Sequence, residues 1–341
     1  MVQEKRKIPA EAVELYTRYI RGEFSRRDFL SGVKRFAFGG PAAAAIVEAL
    51  MPNYALGQQV ATSLLPAADL VFAEGSDWEV VSAGHQFAEG MAWDGNGHFY
   101  FTDVPRGELF KVDRNSGTKI LLDGATGRAN GIAFGPDGRL YGCASFDKCI
   151  YAWDPKTWQK VAVTQGTQSN DIAILRDGTT FYTDPNSMLV WRLAKSSFER
   201  GMGAKLAWRP NGIALSRDQK TLLVAEFDSD TIHGFPIGGD SKVTGTDHPA
   251  YKLSVPSDAM GKLDGMMVLA NGSLLIGTAL GTQIAPPVPA RAGSPPLIVI
   301  PSPQGRPRCN YARISPDRSW LYTAYAVDML RRRLRPDFDK P

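Results

Sequence analysis

The chain has 341 residues, 43% of them hydrophobic and 22% charged, with 34 Gly and 23 Pro and a formal charge of +4. The basic excess sits at the front: residues 1–57 hold nine Lys and Arg against six Asp and Glu, leaving 30 against 29 for the rest, so the body has no charge excess suited to nucleic acid. No run of about 18 uncharged apolar residues occurs, so no membrane-spanning helix is expected. Three cysteines are too few for a disulfide framework.

In chain order, the first predicted element is an amphipathic helix over residues 8–22, with Ile8, Val13, Leu15, Tyr16 and Tyr19 at helical spacing. Ser25-Arg26-Arg27-Asp28-Phe29-Leu30 follows, then a weakly apolar, Ala-rich stretch from Phe36 to Met51 that ends near Ala55 and Gly57. The paired arginines, the Phe-Leu after them and the small residues at the end read as a twin-arginine export signal. The expected organisation is therefore a helical leader over 1–57, a linker over 58–77 and a folded body over 78–341. The matching localisation is periplasmic or extracellular in a bacterium, and the export machinery would be one partner of the chain.

The body repeats. Six segments open on Glu89-Gly90-Met91, Asn130-Gly131-Ile132, Asn170-Asp171-Ile172, Asn211-Gly212-Ile213, Asp264-Gly265-Met266 and Asn310-Tyr311-Ala312. Each continues as a short apolar strand, a turn and a second β-rich strand, and four of the six turns contain Asp-Gly or Asn-Gly. The repeat starts lie 41, 40, 41, 53 and 46 residues apart. A period near 40 is that of a four-stranded propeller blade, so the prediction is an all-β, six-bladed β-propeller, with Trp78-Glu79-Val80-Val81 joining the last blade to close the ring. Closure removes the sheet edges that would otherwise invite aggregation.

The innermost strand of each blade lines the central channel, so the first residues of the repeats are expected to converge on one axis. Glu89, Asn130, Asn170, Asn211, Asp264 and Asn310 then offer two carboxylates and several amide oxygens, with no His or Cys. Hard oxygen donors of this kind suit calcium, or magnesium or manganese, rather than zinc or copper. The alternative is that Asn-Gly and Asp-Gly only make entry turns, which Glu89 does not fit.

Phe87-Ala88-Glu89-Gly90-Met91-Ala92-Trp93, Ser169-Asn170-Asp171-Ile172, Phe181-Tyr182-Thr183-Asp184-Pro185, Arg209-Pro210-Asn211-Gly212-Ile213-Ala214 and Leu263-Asp264-Gly265-Met266 resemble the motifs of the senescence-marker-protein, gluconolactonase and luciferin-regenerating-enzyme family. The resemblance runs from about Trp78 to the C-terminus. It implies a hydrolase that opens lactones with one divalent cation, most often calcium, in the channel; relatives act on organophosphates. By position it assigns Glu89, Asn211 and Asp264 as metal ligands, and Asn170 as a further ligand or a substrate contact. Asn130 becomes a substrate contact, and Asn310, followed by Tyr311 rather than Gly, a structural residue. The cation would act as Lewis acid and Asp264 as base to the attacking water, or as nucleophile. The competing readings are a hydrolase of organophosphate or xenobiotic esters at the same site, and a non-catalytic binding propeller held by a structural metal.

Some elements stay outside the site. His85, His98, His233 and His248 are off the repeat phase and read as structural. No Gly-x-Ser-x-Gly elbow occurs, which argues against a serine hydrolase. Asp184 reads either as support for the site or as a turn cap. The Pro-rich stretch between Gly281 and Pro307 reads as a lid or as a stiff surface loop. Cys143 and Cys149, six apart around a turn, read as a bridge or as packed thiols, and Arg331–Arg335 as a solvated last strand.

Overall fold

The computed structural model describes residues 69–195, 197–255, 260–289 and 296–339. The expected leader over 1–57 lies outside the described residues, as does the start of the linker. Among the described residues no helix is long and apolar enough to cross a membrane.

Short runs of β-branched and aromatic residues, separated by turns rich in Gly and Asp, give 23 strands in antiparallel meanders. The second repeat forms a sheet of β5 (Ala129–Phe134), β6 (Leu140–Ala144), β7 (Cys149–Trp153) and β8 (Lys160–Gln165). The third forms β9 (Ile172–Ile174), β10 (Thr180–Asp184), β11 (Leu189–Leu193) and β12 (Arg200–Lys205). The fourth gives β13 (Pro210–Leu215), β14 (Thr221–Glu226), β15 (Thr231–Pro236) and β16 (His248–Lys252), and the fifth β17 (Met266–Val268), β18 (Leu274–Thr278), β19 (Gly281–Ala285) and β20 (Ile298–Pro301).

The first and last repeats do not separate. β21 (Tyr311–Ile314), β22 (Trp320–Ala324), β23 (Ala326–Arg333), β1 (Glu79–Trp93), β2 (Phe99–Asp103), β3 (Glu108–Val112) and β4 (Lys119–Asp123) form one seven-stranded sheet. The fold is an all-β propeller, but the six separate four-stranded blades expected from the repeats are not what the hydrogen bonding gives: four sheets have four strands and one has seven. The reason is the 15-residue β1. Its first half pairs with β23 (Glu79↔Arg331 to Ala83↔Asp328) and its second half with β2 (Ala88↔Asp103 to Trp93↔Phe99), so bonding runs on through Ala88, which pairs on both sides.

The second strands β2, β6, β10 and β18 are buried along their whole length, whereas the outer strands β4 and β12 are largely exposed. That gradient is what radial stacking around an axis requires. Core clusters fill the spaces between neighbouring sheets, as where Leu223, Ala225 and Ile232 of the fourth repeat meet Met266, Leu274 and Ile276 of the fifth.

The expected linker over 58–77 gives way by Val71 to packed chain. Val71 and Phe72 are buried, Phe72 bridges Leu334, and Arg335 donates its N–H to the Val71 carbonyl at 3.0 Å. The described residues of 67–302 and 307–341 make one compact unit. The described part of a second unit is the turn Pro303–Arg306, closed by the Arg306 N–H on the Pro303 carbonyl at 3.0 Å.

Candidate active site

The inner strands are broken at the positions the repeats single out. Pairing slips between Glu89 and Met91, between Ala129 and Ile132, and between Pro210 and Ile213. Such bulges turn side chains out of the sheet. In the other three repeats the polar residue stands just before the strand: Asn170 before β9, Asp264 before β17 and Asn310 before β21.

Neighbouring repeats are tied together at this level in a closed circuit. Thr102 donates its hydroxyl to the Asn130 carbonyl (3.0 Å), Gly131 its N–H to the Asn170 carbonyl (2.9 Å), and Thr183 its hydroxyl to the Asn211 carbonyl (2.6 Å). Gly265 donates to the Asn310 carbonyl (3.0 Å), and the Asn310 amide donates to the Ala88 carbonyl (2.8 Å). The remaining link is a close approach: a Cβ on Gly212 would lie 2.0 Å from the Asp264 carbonyl oxygen. The residue after each repeat start is Gly in four of six cases because the next repeat's chain passes against it.

The two exceptions, Asp171 and Tyr311, meet. The Tyr311 hydroxyl donates to Asp171 Oδ1 at 3.2 Å, joining the third repeat to the sixth. Asp171 also accepts the N–H groups of Ile172 (2.9 Å) and Ile213 (3.2 Å). Glycines leave the room for both: a Cβ on Gly131 would stand 2.1 Å from Asp171 Oδ1, and one on Gly265 2.1 Å from the Tyr311 ring. Both side chains are buried, so the contact joins the third and sixth repeats inside the fold. Burial pushes the Asp171 carboxyl up to about 6, against the opposing pull of Arg313, and lifts the Tyr311 phenol well above its ordinary value. Asn310 is held on both sides: its Oδ1 accepts the Ala326 N–H at 2.9 Å while its amide donates to the Ala88 carbonyl.

Glu89 and Asp264 are 2% and 5% exposed. Burial and the charge of Asp264 hold the Glu89 carboxyl well above the usual range, with the Asn310 amide and the Gly90 N–H (3.1 Å) pulling the other way. Burial also raises Asp264, opposed by the Arg308 guanidinium, whose Nη1 lies 2.8 Å from Asp264 Oδ2. The third oxygen donor is distinctive: Asn211 Oδ1 is buried and accepts no hydrogen bond. An orphaned buried amide oxygen at the same point of its repeat, and two buried acids that repel one another, are what a hard divalent cation would relieve. The residues therefore fit an oxygen-coordinated cation. Among the described residues no cluster of three or more His, Cys, Asp and Glu side chains that could hold a metal ion occurs.

Asn130 and Asn170 line a cavity of about 350 Å³ together with Arg128, Ser145, Gln168 and Asn186. A larger cavity of about 760 Å³, among the turns at Asp94–Gly97, Asp113–Gly117 and Ser315–Asp317, touches none of the ring residues. The turns between second and third strands, such as that between β18 and β19, stand at the end where the inner strands begin. Thus Thr278 pairs with Gly281 near Asp264, whose N–H donates to Gly277, and β19 runs away from it to Ala285 opposite Leu274. The Pro-rich connection accordingly leaves from the far end, and Val288 there donates its N–H to Ala250 on β16 (2.8 Å). The described prolines Pro286, Pro287 and Pro289 thus stand at the end away from the ring. The chain that does reach the ring is the segment leading into Asn310, which carries Arg308.

Residues 87–290 match the family model of the SMP-30/gluconolactonase/LRE-like region. The chain belongs to that family. A gluconolactonase of Zymomonas mobilis is 27% identical over 247 residues, 61% of this chain and 69% of the relative. Among solved structures, a gluconolactonase of Xanthomonas campestris superposes with a TM-score of 0.67 at 22% identity, covering 79% of this chain and 93% of the other. The calcium-binding protein regucalcin of Agrobacterium tumefaciens gives 0.61 at 16% identity over 79% and 96%. These last two establish likeness of fold.

Outside the ring, one constellation has the order of a nucleophile, base and acid. Ser82 Oγ lies 2.7 Å from His85 Nε2, and His85 Nδ1 3.2 Å from Asp103 Oδ2. All three are buried, with His85 edge-on to Phe101 and Phe110, and Asp103 accepts the N–H groups of Gln86 and Phe87 at 3.0 Å each. The network stands where β1 leaves β23, between Ala83 and Ala88, and ties down the stretch without ladder partners. Asp184 does the same service in the third repeat, accepting Thr167 Oγ1 (3.0 Å), Trp191 Nε1 (3.3 Å) and the Ser187 N–H (3.1 Å). His233 is held between Glu226 and Asp247 and stacks on Trp208. Cys143, Cys149 and Cys309 are free, buried thiols.

The residues that sequence reasoning missed are Arg308, Asp171 and Tyr311. The last two carried a signal, since they alone replace Gly after the repeat start; their pairing across 140 positions did not.

Proposed function

We propose that the protein is a metal-dependent hydrolase that opens a lactone at the ring formed by Glu89, Asn170, Asn211 and Asp264. The observation that carries this reading is the buried, mutually repelling Glu89 and Asp264, together with the unpartnered, buried Asn211 Oδ1. Glu89, Asn211 and Asp264, with Asn170 as a further donor, would hold one divalent cation, calcium before magnesium or manganese on the strength of the all-oxygen set. When bound, the cation supplies Lewis-acid polarisation of the acyl group.

The chain's own residues do the rest. Asp264, whose carboxylate form Arg308 favours, takes a proton from the attacking water. The water oxygen bonds to the acyl carbon, the acyl–oxygen bond of the ring breaks, and the ring oxygen takes the proton held by Asp264 and leaves as a hydroxyl. The product is an open hydroxy acid, which releases one proton to solvent at neutral pH. Asn130 and Asn170 orient the substrate by amide hydrogen bonds in the cavity they line.

The Zymomonas mobilis relative bears the name gluconolactonase, and this supports a sugar lactone as the substrate class. The test is a panel of aldonolactones, aromatic lactones and organophosphate esters, each with calcium, magnesium, manganese or chelator. Turnover of a lactone that chelator abolishes and calcium restores supports the reading. Turnover of phosphotriesters alone assigns the site to the other hydrolase class, and metal binding without any turnover leaves a binding propeller. Export is part of the proposal on the strength of Ser25–Leu30, and a mature N-terminus at Met1 would contradict processing near Gln58.

A further inference from the structure

The positions two residues before each ring residue are Phe87, Arg128, Gln168, Arg209, Lys262 and Arg308. Four of six are basic and none is acidic. The residues between them and the ring, Ala88, Ala129, Ser169, Pro210, Leu263 and Cys309, are all buried. Every residue of the outer set is exposed or half-buried. Arg128 lines the cavity of Asn130 and Asn170, and Arg308 meets Asp264, so two of these positions stand on a rim just outside the ring. Arg128 and Lys262 have left-handed backbones, φ 56° and 48°, a conformation that ordinary side chains adopt at some cost.

The four cations are not equivalent. Arg209 is spent on Asp228, through Nη2–Oδ1 at 2.7 Å and Nε–Oδ2 at 3.1 Å. Arg308 gives one N–H to Asp264 and lies over the Phe227 ring at 5.5 Å, leaving donors in hand among the described residues. Arg128 lines the cavity shared by Asn130 and Asn170, and its guanidinium has no hydrogen bond or ion pair with a described residue. It rests on Phe146, 4.8 Å from the ring centroid, and that aromatic is itself 66% exposed. A planar guanidinium laid on an aromatic shelf beside two candidate substrate amides is arranged to take a carboxylate by two parallel N–H bonds.

We infer that the rim selects an anionic substrate: the lactone opened at the ring carries a free carboxylate, as in the monolactone of a sugar diacid, and Arg128 receives it. The inference rests on the lactone reading and adds the substrate class to it. Arg308 supplies positive potential near Asp264, so rim and ring together favour an anion over the uncharged aldonolactone of the same ring size.

The test measures kcat/KM for these two lactones with the calcium-loaded full chain, for wild type and for Arg128→Gln and Arg128→Lys, each checked by circular dichroism. Binding of the open-chain sugar diacid and of the neutral polyol of equal length is measured in parallel by calorimetry. Wild type is expected to prefer the anionic lactone, and Arg128→Gln to lose that preference by about tenfold or more, mainly in KM, with Arg128→Lys between them. Added salt should erode the preference in wild type. Equal use of both lactones, or a preference untouched in Arg128→Gln, overturns the rim inference, and neutral-lactone turnover then leaves the lactonase reading standing. If neither lactone reacts but the diacid binds wild type about tenfold more tightly than Arg128→Gln, the rim stands as an anion site and the lactonase reading falls.

Discussion

Replacing Glu89 by Gln separates what the acid does for the fold from what it does for a cation. Glu89 is 2% exposed, and its carboxyl is raised by burial and by Asp264. A carboxyl that binds its proton more tightly when folded adds stability at low pH and loses that contribution as pH rises past its ordinary value near 4.5 and through the raised folded value. Metal-free wild type at pH 8 therefore carries a cost, of burying the charge or of keeping the proton, that Glu89→Gln lacks. With chelator present, the variant should melt no lower than wild type at pH 8, and the comparison should shift toward wild type as pH falls to 5. A cation that binds only the folded state at a hundred times its dissociation constant adds about 2.7 kcal/mol. For a domain of this size that is about 5–11 °C in Tm. Differential scanning calorimetry should show this gain for wild type on adding calcium and little of it for Glu89→Gln. Equal gains in both proteins, or none in either, would refute the assignment of Glu89 to a cation site.

Other consequences follow from the packing. Tyr311→Phe removes the hydroxyl that Asp171 accepts and should lower stability by about 0.5–1.5 kcal/mol in urea unfolding. Gly265→Ala forces a methyl to within 2.1 Å of the Tyr311 ring, an overpacking that should cost about 1–3 kcal/mol or more. Gly201→Ala, with nothing within 4 Å, should stay within about 0.5 kcal/mol of wild type. Ser82→Ala should reduce stability by about 1–2 kcal/mol, because it leaves buried His85 Nε2 without its partner, while lactone turnover persists; loss of turnover in a folded Ser82→Ala protein would make Ser82 a nucleophile instead.

Much of the fold was legible because one offset recurs six times. Glu89, Asn130, Asn170, Asn211, Asp264 and Asn310 stand at the same point of each repeat, and a circuit of five hydrogen bonds and one close approach, from Thr102 around to Ala88, joins those points. The merging of the first and last repeats was not legible, since it depends on β1 continuing through Ser82–Phe87 on the support of His85 and Asp103 rather than ending in a turn. Arg308 escaped notice for a different reason. It lies in an irregular segment, and its contact with Asp264, 44 positions away, depends on the path of that segment. Asp171 and Tyr311 show the intermediate case: their departure from Gly is visible in sequence, but its meaning needs the contact they make.

The most direct measurement follows acid release from an aldonolactone or a sugar-diacid monolactone by pH-stat, with the purified chain in calcium, in chelator, and as Asp264→Asn in calcium. Stoichiometric acid release by wild type in calcium, abolished by chelator and lowered at least about a hundredfold in the variant, is expected of a cation-assisted site with Asp264 as base. Release that persists unchanged in chelator, or in folded Asp264→Asn, would contradict it.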